Sequence, residues 1–542
     1  MVPPVPPILT GEAADRVDTR PGARIAERYH GRTKHTYRSV RTEARPLDWQ
    51  NRPLPFKIYE TLQPIPLPRE LSLQMPALDA IGADGSGSPG RRVLDLAALA
   101  RILYLSNGIT KVMRGGGETY AFRAASCTGA LYHIELYLVC GDLPDLPAGV
   151  YHYGAHDHAL RRVRGGDFRE VVLRATANEP QVARAPAIVV STDTFWRNAW
   201  KYGARAYRHS GWDNGVILAN LLATTAAVGL SAEVVCGFAD DEVNGLLSLD
   251  TEREVAVSMV ALGRDERPIP AAPPGRPLDL PTTPLSRSEV DYPLIRKIHA
   301  ASSLPVTEVA AWRGSPPHPQ EPSPAGLVVA PVLPDEEGIS RDPLDVVLQR
   351  RGSSRRFAHQ PITVEELSMM LSRCNRGVPA DFLGPFGTSL NEVYLIVNAV
   401  DDLPSGGYVY HRDPPGLERL RSGDARQQAA YLALEQRLAG EAAVNIYYLA
   451  ALDPILARFG DRGYRAVQLE AGILGGKVYL AAYALGLGAT GLTFYDDDLI
   501  EFFSPHASGK STIFLMAVGH PRRRTGLRQA PRAAARAGRT DR

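Results

Sequence analysis

The sequence predicts an α+β protein made of two copies of one mixed α/β unit joined within a single chain. Three observations carry this reading. The chain aligns with itself, each aligned copy mixes strand-like and helix-like runs, and a proline-rich stretch lies between them.

The self-alignment holds one register over three separated blocks. At a shift of 257, HIELYLVCGDLPDLP (133–147) meets LNEVYLIVNAVDDLP (390–404), pairing Glu135 with Glu392 and Tyr137 with Tyr394. The same shift lays AGVYHYGAHDHALRRVRGGD (148–167) on SGGYVYHRDPPGLERLRSGD, and KYGARAYR (201–208) on RFGDRGYR. It also pairs Gly229 with Gly486 and Asp240 with Asp497. A constant register over this distance indicates duplication. Within each copy, apolar runs such as Leu136–Val139 and Val393–Val397 read as strands. VILANLLATTAAVGL and ILGGKVYLAAYALGL have helical periodicity and contain a glycine stop signal. The expected organisation is a disordered segment (1–28), a first unit (29–266), a proline-rich linker with a short helix near Val290–Ala301 (267–340), a second unit (341–524) and a basic disordered tail (525–542).

Composition narrows the function. A chain of 542 residues, 44% hydrophobic and 22% charged, can bury more than one core and is composed like an ordinary globular protein. The net charge of +2 arises from nearly balanced acids and bases with much of the excess in the tail from Arg522, so no nucleic-acid surface is expected. Four cysteines without a CxxC argue against a disulfide framework or a thiolate zinc site and fit a reducing cytoplasm. The N-terminus has no signal-peptide pattern and no apolar run approaches 18 residues, so neither secretion nor membrane insertion is expected.

Two motifs carry chemistry. In RRGSSRRF, Arg351, Ser353 and Arg355 alternate, which puts two guanidiniums and a hydroxyl on one side of an extended segment. Such a set suits a phosphate monoester or a polar ring edge, though alone it also reads as a solvated basic turn. The second signal is a difference between the copies. Lys201 and Tyr202 become Arg458 and Phe459, while Gly203, Arg205, Tyr207 and Arg208 keep identical partners in Gly460, Arg462, Tyr464 and Arg465. Shared residues are expected to serve the fold and the differing pair the chemistry, since a desolvated lysine can act as a base and arginine cannot. By composition alone that pair is also a surface lysine beside a packed tyrosine. His152, His156 and His158 have metal-ligand spacing, but Val409, Asp413 and Pro415 replace them in the other copy, and a turn is expected there rather than a metal site.

Arg351, Ser353 and Arg355 match the Arg-x-Ser-x-Arg segment of FMN-dependent nitroreductases, and FRAASCTGALYHIELYLV resembles that family's Ser/Gly-rich flavin loop. This loop, together with FWRNAWKYGARAYR and the opening YHGRTKHTYRSV followed by LDW, resembles more narrowly the SagB/ThcOx-type azoline dehydrogenases of peptide-modifying pathways. The resemblance covers about 29–264 at the narrow level and 341–520 as a nitroreductase-like copy. It implies two nitroreductase-like α/β/α domains and FMN as cofactor. Arg123, Ser126, Thr128 and Gly129 of the first copy would meet Arg351, Ser353 and Arg355 of the second, with Gly491, Thr493, Arg522 and Arg523 as further flavin contacts. Lys201 and Tyr202 become the pair for proton removal. The first copy has Ala83, Gly85 and Gly87 where the grip belongs, and the second has Leu383 and Phe386 at the loop positions, so the losses are complementary and one composite site is expected.

The activity so implied is oxidation of a thiazoline or oxazoline of a ribosomal or carrier-bound peptide to thiazole or oxazole, with O2 as acceptor. The peptide is the expected partner, with cyclodehydratase or leader-binding proteins of a modification complex, and the assembly a monomeric pseudo-dimer or a higher homo-oligomer. Two alternatives stay open, an NAD(P)H-dependent nitro- or ene-reductase and a non-catalytic scaffold of a heterocyclase complex.

Overall fold

A computed structural model describes residues 8–10, 23–42, 46–87, 93–115, 118–317, 326, 328–333 and 340–522. In the first half, β1 (Ile8–Thr10) is followed by β2 (Pro64–Pro66) and the hairpin β3 (Ile109–Gly115) and β4 (Glu118–Arg123). There follow β5 (Ile134–Cys140), β6 (Gly149–Gly154), β7 (Ala159–Gly165), β8 (Ala187–Thr194), β9 (Ala232–Val235) and β10 (Glu254–Leu262). The connector holds β11 (Glu289–Asp291) and β12 (Val328–Val329). The second half adds β13 (Glu392–Val397), β14 (Gly406–Arg412), β15 (Pro415–Ser422), β16 (Val444–Ala450), β17 (Gly488–Leu492) and β18 (Ser511–Gly519). Two seven-stranded sheets result, ordered β2-β7-β6-β5-β8-β10-β9 and β12-β15-β14-β13-β16-β18-β17. The two orders are the same when each strand is replaced by its repeat partner, so both halves share one topology.

Alternation along β5 explains how the sheets are covered. Leu136 and Leu138 join an apolar cluster that runs through both halves, while Tyr137 and Val139 point into a second cluster on the opposite face.

The helices that matter for the site are α1 (Ile25–Arg32), α2 (Leu96–Asn107), α3 (Phe195–Tyr202), α4 (Ala206–Ala227), α5 (Pro293–Ala301), α6 (Val306–Trp312), α7 (Leu452–Phe459) and α8 (Gly463–Ala484). The repeat partners α4 and α8 have 22 residues each and are followed by Gly229 and Gly486, whose φ of +78° and +76° allow the chain to turn out of the helix. They cross at glycines. A Cβ on Gly215 would stand 2.5 Å from the backbone of Gly472, and one on Gly472 would stand 2.7 Å from the carbonyls of Gly211 and Trp212. Only residues without side chains let the two axes approach this closely.

Beside the crossing, each half supplies arginines to a carboxylate of the other. Asp240 of the first half accepts from Arg462 and Arg465, both at 2.6 Å. Asp496 of the second half accepts from Arg208 at 2.6 Å and Arg205 at 3.2 Å. Both carboxylates are buried. Burial opposes their ionisation, but two guanidiniums outweigh it, holding Asp240 at about 2 and Asp496 well below the usual range. The arginines shared by the two repeats therefore serve the pairing of the halves. The partner of Asp240 is Asp496 and not Asp497, because the turn after β17 is one residue shorter than that after β9. Asp497 instead faces solvent and pairs with Lys34.

The same motif shows where the units begin. Arg208 donates to Thr33 Oγ1 (2.9 Å) and His30 O (2.7 Å), and Arg465 donates to Ser302 Oγ (2.8 Å) and His299 O (2.9 Å). Thus α5, inside the stretch expected to be linker, is the second unit's counterpart of α1. Of the segment up to residue 28, the described residues include the start of α1 at Ile25 and β1, which pairs in parallel with β11. The basic tail 525–542 lies outside the described residues.

The crossed pairs make a prediction. Asp240→Asn or Asp496→Asn leaves buried guanidiniums uncompensated and should cost about 3 to 5 kcal/mol of stability. Asp497→Asn should leave the thermal transition near that of the parent protein. Equal, small shifts for all three in a calorimetric scan would refute the assignment of the clamp.

Candidate functional site

The segment from Arg351 to Arg355 runs along the outer side of β17. Ser354 N donates to Ala489 O at 2.9 Å, and a Cβ on Gly488 would stand 2.3 Å from Ser354 Oγ, so the two stretches lie in close contact. With Ser354 buried, residues 351, 353 and 355 face the other way, as their alternation predicts.

Arg351 crosses to the first half. Its Nε donates to Ala124 O at 2.8 Å and its Nη2 to Arg123 O at 3.0 Å, while the guanidinium carbon sits 5.4 Å from the centre of the Tyr479 ring. Ser353 Oγ lies 3.1 Å from Tyr479 OH, which accepts from Gly491 N at 2.8 Å. Tyr479, on α8, thus gathers Arg351, Ser353 and Gly491. Nothing in the sequence motif marked it. Nearby, Thr493 Oγ1 is buried without a hydrogen-bond partner among the described residues.

From the first half comes the loop Ser126–Gly129. Asp213, on α4, accepts from Thr128 N and Thr128 Oγ1, each at 2.9 Å, and from Cys127 Sγ at 3.1 Å. His133 stands between two carboxylates, with Nε2 2.9 Å from Asp213 and Nδ1 2.6 Å from Asp193. Burial works against protonation of this imidazole, but Asp193 and Asp213 prevail and bring it to about 9. Cys127, His133 and Asp213 place donor atoms within 4.8 Å of one another, but these atoms are already engaged in the relay that holds the loop. Burial and Asp213 push the Cys127 thiol up, which makes it a poor nucleophile.

Lys201 and Tyr202 close the cluster at the end of α3. Gly129 has φ +66°, and a Cβ there would lie 2.9 Å from Tyr202 OH. The Lys201 ammonium sits 5.2 Å from the centre of the Tyr202 ring. Burial, with Arg355 and Arg52 nearby, lowers the Lys201 pKa, whereas burial together with Asp213 and Cys127 raises that of Tyr202. The electrostatic reach of Arg355 to both side chains joins the second half's Arg-x-Ser-x-Arg segment to the first half's pair.

Other expected contacts are placed differently. The guanidinium of Arg123 is buried near the rings of Phe56 and Tyr132, 5.2 and 5.0 Å from their centres, and donates to Pro55 O. It is the Arg123 carbonyl that meets Arg351. Arg522 is exposed, with its backbone N bonded to Arg356 O, and Arg523 lies outside the described residues. For Ser126 no hydrogen bond among the described residues fixes a role. His152 bonds Glu135 and His158 bonds Tyr153 and Pro68 O, so the histidine-rich turn does not converge on one point.

At the pseudo-equivalent position the two halves pack on each other around a small cavity lined by Gly85, Leu222, Pro379 and Lys477. Gly85 O accepts from Ala232 N, and a Cβ on Gly85 would stand 2.7 Å from Pro379. The second half's segment 379–381 bonds to Val234 through Pro379 O and Asp381 N, and the Asp381 carboxylate accepts from Cys236 N and Gly237 N. Lys477 on α8 ties this segment through Gly377 O at 2.7 Å. From the connector, Trp312 Nε1 donates to Phe459 O, and Arg458 donates to Arg313 O. The counterpart of Lys201 therefore holds a connector carbonyl.

The two α/β units with one composite cluster between them define a tandem fold. The model of the nitroreductase family matches residues 95–264 and 348–520, so the chain belongs to that family of oxidoreductases, whose members bind FMN. The solved structure of a nitroreductase-type protein from Anabaena variabilis has TM-score 0.74 and 27% identity, covering 92% of this chain and all of that one. A nitroreductase-like protein of Methanocaldococcus jannaschii is 31% identical over 178 residues, which are 31% of this chain and 86% of that protein. The trifolitoxin-processing protein TfxB of Rhizobium leguminosarum is 28% identical over 192 residues, 34% of this chain and about half (51%) of that protein. No helix among the described residues is long and apolar enough to cross a membrane.

The relay at His133 predicts a pH dependence. Its folded pKa, about 9, lies above the ordinary value near 6.5, so its stabilisation is complete below about 6.5 and is lost as pH rises through about 9. The stability gap between the parent protein and His133→Gln should narrow across that window in thermal melts. A gap constant with pH would mean that the imidazole stays neutral.

Proposed function

We propose that the chain is an FMN-dependent azoline dehydrogenase with one flavin site shared by its two halves. The observation that carries this reading is the grouping of Lys201, Tyr202 and Gly129 within electrostatic reach of Arg355 at one of two pseudo-equivalent positions, while at the other Pro379–Asp381 pairs with Val234 and the counterpart of Lys201, Arg458, holds the Arg313 carbonyl. Likeness to a trifolitoxin-processing protein supports a peptide as substrate.

The residues present fit FMN. Arg351 and Arg355 supply positive charge, Ser353 and Thr493 Oγ1, which is without a partner among the described residues, supply polar contacts, and Gly129 lets the loop pass close under Tyr202. Bound FMN would accept the hydride that a thiazoline or oxazoline loses on becoming aromatic, with O2 as the final acceptor. The chain's own task is to remove the proton lost from the adjacent ring carbon. Lys201 suits this better than Tyr202: its lowered pKa makes the neutral amine accessible, and the raised pKa of Tyr202 keeps the phenol protonated. In this reading Tyr202 shapes the loop at Gly129 and orients the ring through its hydroxyl. Asp213 and the His133 relay keep the loop rigid, so that substrate and base meet in one geometry.

Mass spectrometry of a cyclised precursor peptide, incubated with protein and FMN, should show the loss of two hydrogens per ring. Reconstituted protein should hold one FMN per chain. Arg351→Ala should weaken FMN binding roughly 10- to 150-fold through loss of a charge-assisted contact. Lys201→Ala should stay yellow and lose azoline oxidation by roughly 100-fold or more, while Arg458→Ala keeps turnover. Two tightly bound flavins per chain, or full-rate oxidation by Lys201→Ala, would overturn the assignment.

A further inference from the structure

The hairpin β3–β4 belongs to neither large sheet. It forms a two-stranded sheet of its own, and among the described residues no further strand pairs with it. Four consecutive residues of β3, Lys111 to Arg114, are exposed, including Val112 at 55% and Met113 at 50%. A lone hairpin with apolar residues in water is marginal, and a bare strand edge invites pairing.

Its position ties it to the site. The hairpin's last residue, Arg123, and the following Ala124 offer the carbonyls that receive Arg351, and the chain then enters the loop beneath Tyr202. On the β4 side, Arg52 lies 5.9 Å from the centre of the Tyr120 ring and is near enough to Lys201 to lower its pKa. Trp49, 66% exposed, stands edge-on to Trp200, the neighbour of Lys201. Among the described residues the second half has no such hairpin. Between its helix Val364–Cys374 and β13 the chain forms the segment that pairs with Val234 instead. The hairpin thus accompanies only the composite cluster.

We propose that the outer edge of β3 takes up an extended, acidic segment of the peptide substrate as a third strand, beside the cluster that holds Lys201. The inference rests on the reading of this site as a peptide-oxidising one. Main-chain pairing would hold a peptide with little dependence on its side chains, which suits an enzyme that meets rings in varied surroundings. Charge selects the occupant: Lys111 and Arg114 on the edge, with Arg52, Lys201 and Arg355 at the mouth, are complementary to carboxylates.

The test uses full-length, FMN-reconstituted protein and fluorescence anisotropy of a labelled probe of about eight residues, enough to span a strand, alternating threonine and glutamate. The acidic probe should bind in a salt-sensitive manner, and the double variant Lys111→Glu, Arg114→Glu should weaken it roughly 10-fold or more. N-methylation of alternate amides should weaken binding when it falls on the pairing side and not when it falls on the other. Undiminished binding to the double variant, equal binding of a lysine-for-glutamate probe, or equal binding of a single-stranded oligonucleotide would each overturn the proposal. Because binding is read without turnover, a protein that oxidises no azoline but shows this pattern supports the docking edge and defeats only the assigned reaction. Oxidation of a small thiazoline by a protein whose probe affinity ignores the hairpin does the reverse.

Discussion

Everything at the site depends on how the two halves are locked together by carboxylates that each reach arginines of the other. Asp240 and Asp496 are buried, and neither could remain charged without its two guanidiniums. The same arginines bind the carbonyls and hydroxyls that end α1 and α5, so one set of contacts fixes the helix crossing and the start of each unit. Glycines at Gly215 and Gly472 let the helices approach, and the ion pairs set their rotation. The composite cluster inherits its precision from this clamp, because Arg351 and the loop it meets lie on different halves.

Around that symmetric frame the two sites have diverged by the same physical means. In the composite cluster, Asp213 fastens the loop at Cys127–Thr128 and shares the His133 imidazole, its counter-charge, with Asp193. Its repeat partner Glu470, one methylene longer, reaches Ser389, Leu390 and Asn391, so the corresponding loop is gripped at a later point. The residues before this grip then lie along β9 and pair with Val234. Leu390 and Ala450 occupy the positions of His133 and Asp193, so the second half has no relay. A shift in where one carboxylate holds a loop therefore accompanies the difference between the two positions.

Much of this was legible in the chain. The duplication showed in a single shift, the shared arginines were set apart from the differing Lys201–Tyr202 pair, and alternation in RRGSSRRF put three side chains on one side of a segment. What escaped has physical causes. Asp240 was matched to Asp497 because a one-residue difference in a turn is invisible among three consecutive aspartates. The kinship of α1 and α5 was hidden because their spacing differs from that of the remaining repeat, so α5 read as part of a linker. Arg123 precedes the loop, but whether a guanidinium turns inward depends on Phe56 and Tyr132, which come from elsewhere in the chain. Tyr479 and Asp213 sit within helices whose periodicity speaks only of burial. Their contacts are tertiary, and no local pattern announces them.

Fusion explains how the asymmetry could arise. In a homodimer with sites at a two-fold interface, any change that fills one site fills its twin, and any hairpin added beside one is added beside both. Joining the copies removes that constraint while leaving the clamp intact, since Asp240 and Asp496 need the partner half but not an identical one. The second half can then trade its loop for a segment whose buried Asp381 carboxylate accepts from Cys236 N and Gly237 N of the first, a contact between the halves that has no counterpart at the other position. The first half keeps the loop and places the hairpin beside it. Arg458 illustrates the exchange: at the position where Lys201 stands exposed beside Arg355, its guanidinium reaches a connector carbonyl and covers Phe459. A permanently charged side chain that cannot act as a base is well suited to hold a structural contact of this kind.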